Sequence, residues 1–230
     1  MKRFYTAAAA EPGADGHRLL LDGRAIRTPR RAPLVVPSAA LADAIAAEWN
    51  QQADEIVPQS MPLTGIANAA IDLVGPDMTD FAAPLAAYGG TDLLCYRAEQ
   101  APLAAVEAAS WNPILAWAEH RFGVEFVLVT GIVHAPQPPA TLAALEEALL
   151  GLDPFRLAAM APLVTISGSL VIGLAAVEAA FAADRLWDAV VTDEVWQEQQ
   201  WGVDEDAVKA REHRRQEWLA ALRFVGLLRV

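Results

Sequence analysis

Residues 163–183 read LVTISGSLVIGLAAVEAAFAA, and the identity of this stretch decides the class of the protein. A segment this long with so little charge is long enough to cross a bilayer. Against that, Thr165, Ser167, Ser169 and Glu178 are polar, Gly168 and Gly173 weaken a helix, and alanine supplies much of the apolar count. The stretch is predicted to be a helix buried in protein, its glycines letting neighbouring helices come close. Its surroundings agree. Helical periods are predicted over 102–121, 139–150, 154–160, 184–201 and 204–228. Everything after residue 98 therefore reads as helical, apart from a short β-like run at 125–129.

The beginning of the chain has a different texture. Residues 17–27, HRLLLDGRAIR, set Asp22-Gly23 between apolar runs, which is a strong hairpin signal. Further strands are expected at 3–9 and at 32–36, with DLLCYR at 92–97 returning to the same sheet as a buried strand. Ser38 can cap a helix whose Leu41, Ile45 and Trp49 share one face. Pro62 suits the start of a second helix that Gly75-Pro76 ends, and a third over 77–88 stops at Gly89-Gly90. The expected fold is α+β. A small N-terminal domain with an antiparallel sheet spans 1–97, and an all-helical domain spans 98–230.

Composition narrows the function. Over 230 residues the chain is 54% hydrophobic and 20% charged, with a net charge of -12 and a mean hydropathy of +0.25. That charge repels nucleic acid and anionic lipid, and it suits a basic partner surface. One cysteine, Cys95, excludes an internal disulfide and is compatible with a reducing compartment. It is read as a core residue. The opening MKRFYTAAAAEPGADG lacks the apolar core of a signal peptide, so neither secretion nor stable membrane insertion is expected. The histidines 17, 120, 134 and 213 are scattered without metal-ligand spacing, and no phosphate loop or nucleophile elbow is present. Arg24, Arg27, Arg30 and Arg31 form a basic rim on the first sheet. It reads as a charged edge that discourages strand pairing, with an anion site as the lesser alternative.

The chemistry concentrates in 192–206, TDEVWQEQQWGVDED. On a helix running on from Asp184, Trp187 and Val191 share a face with Glu194 and Glu198, so an apolar stripe becomes a carboxylate stripe. Gly202 fits a helix end and Asp204 the next helix start, where Glu205 and Asp206 sit favourably. Asp193, Glu194 and Glu198 would instead oppose the dipole of their helix, and so call for arginine or lysine partners or for a ligand. One option is an acid/base enzyme with Asp193, Glu194 and Glu198 in a cleft between the domains. The other is a protein interface, with tryptophan area ringed by selective charge.

Residues 193–204, DEVWQEQQWGVD, resemble the signature D-E-x-W-Q-x-x-x-W-G-x-D of the ATP12 family, assembly chaperones of the F1 ATP synthase. Further segments resemble it in order: LDGRAIRTP (21–29), EWNQQ (48–52), IVPQSMPLTGIANAAID (56–72), TDLLCYR (91–97) and WNPILAW (111–117). The resemblance implies a small α/β N-terminal domain followed by an orthogonal helix bundle. It also implies a non-enzymatic protein without cofactor or metal that binds the unassembled F1 alpha subunit, prevents its aggregation and releases it into the alpha/beta hexamer. The family occurs in mitochondria and alphaproteobacteria, and without a transit peptide a bacterial cytoplasmic protein, monomeric when free, is expected. Asp193, Glu194, Gln197, Glu198, Trp201, Asp204 and Glu205 are the expected partner-binding residues. Reversing Glu194 and Glu198 to lysine is expected to abolish alpha capture while leaving the chain folded.

Overall fold

The computed structural model describes residues 1–229. Its packing falls into two compact units. The first is Met1–Met78 with Asp153–Ala159 and the chain from Ala220 onward; the second is Thr79–Leu152 with Met160–Leu219.

In the first unit, β1 (Ala8–Gly13) and β2 (Gly16–Leu21) form an antiparallel hairpin, and β2 also pairs with β3 (Arg24–Ala25) and β4 (Val35–Val36). The predicted Asp22-Gly23 turn is there, with φ of 47° and 79°. Positive φ at both positions matches the right-handed twist of the strands it joins. The strand expected over 3–9 begins only at Ala8. Before it, the Asp22 carboxylate accepts from the N–H groups of Thr6 and Ala7, and the Arg3 guanidinium donates to the carbonyls of Tyr5 and Thr6. These bonds take the backbone groups a ladder would have used.

Against this sheet lies α1 (Ala39–Asn50), whose Ser38 cap accepts from Leu41 N–H at 3.1 Å and whose Leu41 and Ile45 are fully buried. Then follows α2 (Pro62–Ala69), which continues through a π turn to Val74. No side chain of its own caps α2. Instead Glu48 of α1 accepts from the N–H groups of Leu63 and Thr64 and from the Thr64 hydroxyl, at 2.7–2.8 Å. Asp72 likewise takes the Thr28 hydroxyl at 2.6 Å and Arg30 N–H at 2.9 Å. Both acids are buried and both are fully employed.

The second unit starts with α3 (Met78–Ala86) and then corrects one expectation. Residues 92–97 do not return to the first sheet. Leu93–Cys95 form a 3-10 turn, and β5 (Tyr96–Arg97) pairs in parallel with β6 (Val129–Thr130) as a separate two-stranded sheet. The cause is Asp92, fully buried, which accepts from Leu94 N–H at 3.1 Å and Val171 N–H at 3.0 Å and so bends the chain. Most of the run expected at 125–129 is not strand either, because the Gln137 amide bonds both backbone groups of Val127. Cys95 is buried, and burial pushes its thiol up to about 12, which removes it as a nucleophile.

The helices α4 (Ala101–Phe122), α5 (Pro139–Leu150), α6 (Pro154–Ser167), α7 (Leu170–Glu178), α8 (Ala183–Val190), α9 (Thr192–Trp201) and α10 (Glu205–Leu227) complete the chain. The stretch 163–183 is thus cut in two. Gly168 takes φ of 68°, and Ser169 caps α7 by accepting from Ile172 N–H at 3.0 Å. Gly173 is needed there, because a Cβ would stand 2.8 Å from Val164 and 2.9 Å from Met160. No helix among the described residues is long and apolar enough to cross a membrane. Trp111, Ile114, Leu145, Leu149 and Trp218 are fully buried in this unit, and Trp111 donates to the Ala189 carbonyl at 2.8 Å.

Candidate functional site

The site is built around α9, and its first lesson is where that helix starts. The chain does not run helically from Asp184 to Trp201. Val191, at φ of -103°, separates α8 from α9, and the Thr192 side chain bonds the Asp188 carbonyl and the Ser110 hydroxyl of α4. Asp193 and Glu194 consequently lie in the first turn of α9. This overturns the expectation that they oppose a dipole: at a helix start a carboxylate is favoured by about 0.3–1 kcal/mol. The same break interrupts the stripe: Trp187 and Val191 belong to the core, while Glu194 and Glu198 remain i, i+4 on α9.

Two of the acids are paired with α10. Glu198, which does sit in a last turn, accepts a two-pronged bond from Arg211 at 2.7 and 3.0 Å, and both side chains are largely covered, at 20% and 17% exposure. That contact raises the Arg211 pKa. Glu194 accepts from Arg214 at 2.8 Å with both side chains more open, at 37% and 38%. Arginine partners therefore offset these charges. Asp204 caps α10 by accepting from Asp206 N–H at 2.9 Å, with Glu205 and Asp206 in the first turn, as expected. Gly202 closes α9 with φ of 93°.

Asp193 differs from all of these. It is half-buried, its Oδ1 has no hydrogen-bond partner, and its carboxyl is pushed up to about 6. Burial is the main cause, followed by the charge of and a hydrogen bond with Glu107, then the charge of Glu194. Glu107 of α4 is itself buried and accepts from Ala98 N–H at 2.8 Å. Beside it Arg97 lies over the Trp111 ring, 5.1 Å from its centroid, and donates from Nη2 to Asn112 at 2.8 Å. Its Nε and Nη1 have no acceptor.

Arg97, Glu107 and Asp193 line one cavity of about 540 Å³, together with Glu99, Leu103, Ile132, Trp196, Gln197 and Trp201. Trp196 and Trp201 meet edge to face at 5.8 Å. On the other flank of α9 a smaller groove of about 240 Å³ runs along Val106, Ser110, Val195 and Trp196. Of the expected partner-binding residues, Asp193, Gln197 and Trp201 share the larger cavity. Glu194, Glu198, Asp204 and Glu205 are not among its lining residues. Arg97, Glu107 and Trp196 belong to it without having been singled out as partner-binding. A signal for Glu107 existed, since it falls on the buried face of α4 with Leu103, Trp111 and Ile114, an acid on an apolar stripe.

The first unit has its own concavity, of about 680 Å³, where Arg24 and Arg27 of the basic rim meet Phe4, Tyr5 and Trp49. Arg30 is turned instead to the Asp72 carbonyl. Among the described residues no group of three or more histidine, cysteine or acidic side chains is placed to hold a metal ion.

The ATP12 chaperone protein model matches residues 2–119. Atp12 from Paracoccus denitrificans is similar over 99% of this chain and 98% of its own, at 38% identity and a TM-score of 0.92, and a mutant of the same protein matches equally. The Atu1473 protein from Agrobacterium tumefaciens is 36% identical, over 99% of this chain and 86% of its own, with a TM-score of 0.93. The chain therefore belongs to the ATP12 chaperone family.

Proposed function

We propose that this protein is a bacterial, cytoplasmic assembly chaperone that binds the unassembled alpha subunit of the F1 ATP synthase. It shields that subunit from aggregation and releases it into the alpha/beta hexamer, without catalysing a reaction. The observation that carries the reading is the surface around α9. Trp201, Val203 and Ile132 are 71%, 70% and 97% exposed, and Val106 and Val195 are exposed beside them. Apolar area of this kind left open to water marks an interaction site. It sits in a unit with nineteen acids against seven bases, which accounts for the whole net charge of -12. Aromatic anchors within an acidic field select a partner with a basic rim and bind it specifically without being permanent.

The test is co-expression of this chain with F1 alpha and, separately, with F1 beta. A soluble complex with alpha alone is the expected result. Rescue of neither subunit, or of beta in preference, would sink the proposal.

One observation favours a second reading, an acid/base enzyme: Asp193 has a raised pKa and lines a cavity. The trio that reading needs is not assembled, because Glu194 and Glu198 are engaged by Arg214 and Arg211. What remains is a carboxyl pair, Asp193 with Glu107, without a histidine, serine or lysine lining the same cavity.

A further inference from the structure

We infer that Asp193 and Glu107 form a proton-dependent latch: one proton shared between the two carboxyls holds α9 against α4, and its loss loosens that seam. The inference concerns how α9 is held and does not depend on which protein the surface around it binds.

The geometry sets α9 apart as a short piece with a break at each end, Val191 at φ of -103° before it and Gly202 at φ of 93° after it. Its ties to α10 are ion pairs, Glu194 with Arg214 and Glu198 with Arg211, which need both partners charged. Its polar ties to α4 are of another kind. Thr192 bonds the Ser110 hydroxyl, and Asp193 is hydrogen-bonded with Glu107. An ionised carboxylate only accepts, so a bond between two carboxyls exists only while one of them carries a proton. Glu107 is also fixed from behind, since it accepts from Ala98 N–H at 2.8 Å. The partner free to move is therefore Asp193, and α9 with it.

The surrounding charges make that proton necessary. Arg97 of β5 interacts with the charge of Glu107, and it is the one base among the described residues lining their cavity. With one proton on the pair, Arg97 offsets the single negative charge that remains. Without it a second negative charge is left beside Glu107, which is 2% exposed. Nothing else nearby offsets that charge. Glu99 lines the same wall, Glu194 is next along α9 with its own charge held by Arg214, and Asp188 of α8 lines the groove on the other flank. Two carboxylates placed this way do not both ionise readily. Burial, Glu107 and Glu194 push the Asp193 carboxyl up to about 6 from its ordinary 3.8. The latch is thus closed in acid, and its contribution is lost as pH rises through about 6. Trp196, Gln197 and Trp201 ride on α9 and line the cavity with Asp193, so the latch sets how firmly that aromatic wall stands against α4.

Native-state hydrogen exchange of the full chain reads the latch amide by amide, once corrected for the intrinsic exchange rate. Between about pH 4.5 and about pH 7, α9 should lose protection by about tenfold or more while α5 holds its own. Asp193→Asn and Glu107→Gln each supply an amide N–H that bonds the remaining carboxylate without a proton. Each should abolish the pH dependence and keep α9 protected at the upper end, a rescue that mere space-filling would not give. Level protection of wild-type α9 across the range would overturn the inference, whether or not a variant folds. So would a pH dependence that persists in either variant, with folding checked by circular dichroism.

Discussion

The first unit holds ten acids and ten bases; the second holds nineteen acids and seven bases. The contrast continues below the surface. In the first unit the buried carboxylates are spent on structure: Glu48 caps α2 through three bonds, and Asp72 ties the Thr28–Arg30 loop. In the second, Asp92 is spent in the same way, but Asp193 has a buried Oδ1 without a hydrogen-bond partner beside another buried acid. A buried charge with all its bonds made is architecture. One with a bond missing, beside a second buried carboxyl, costs stability. The contrast separates acids whose bonds build the protein from one whose burial beside Glu107 works against it.

Breaking that comparison begins with its most structural member. Asp92→Ala strands two N–H groups in a dry interior and should cost about 3 kcal/mol or more, read as a shift in the urea midpoint. If Asp92→Ala were harmless, the distinction between spent and unmatched acids would fail. Next comes Glu198. Its covered pair with Arg211 means that Glu198→Ala should destabilise by about 1–3 kcal/mol. Glu198→Lys would set two cations together, so the Glu194→Lys, Glu198→Lys double mutant should melt earlier than wild type. Lost capture by that mutant would then report on packing as well as binding, and a melting temperature equal to wild type would contradict the ion-pair account.

Trp201→Ala makes the opposite cut. At 71% exposure it should leave stability within about 0.5 kcal/mol of wild type yet weaken alpha capture about tenfold in a pulldown titration. The smallest effect is in pH. Burial raises the carboxyls of Asp92 and Asp193 to about 6 in the folded chain, from the ordinary aspartate value of 3.8. Between these values the folded state holds more protons than the unfolded, so these groups make stability fall as pH rises from about 4 to about 6. Asp193→Asn should flatten part of that slope, and denaturation curves across this window would show an unchanged slope if the residue were freely hydrated.

Much of the molecule could be read along the chain. The Asp22-Gly23 hairpin, the Ser38 cap, Pro62 at its helix start, the span 139–150 and the Asp204 cap are local events, decided by backbone preferences within a few residues. Where the reading missed, a distant side chain had intervened. Asp92 diverted 92–97 from the first sheet because Val171 supplies one of its donors. Thr192 reached Ser110 and the chain restarted as α9, which reversed the dipole argument for Asp193 and Glu194. Periodicity cannot detect such a break, because a helix restarting after one residue keeps nearly the same spacing of apolar positions.

By itself, then, the sequence determined the α+β class, most helix ends and the resemblance to ATP12 chaperones, since each rests on local chemistry or on the order of motifs. Only the tertiary structure decided which acids are occupied. Glu194 and Glu198 look no different from Asp193 in the run DEVWQE, yet α10 brings arginines to the first two, and α4 brings a second carboxylate to the third. Pairing is a property of neighbours in space, and those neighbours lie thirteen, twenty and eighty-six positions away along the chain. For the same reason Arg97, Glu107 and Asp193 line one cavity only once the helices have packed, although nothing in their spacing along the chain announces it.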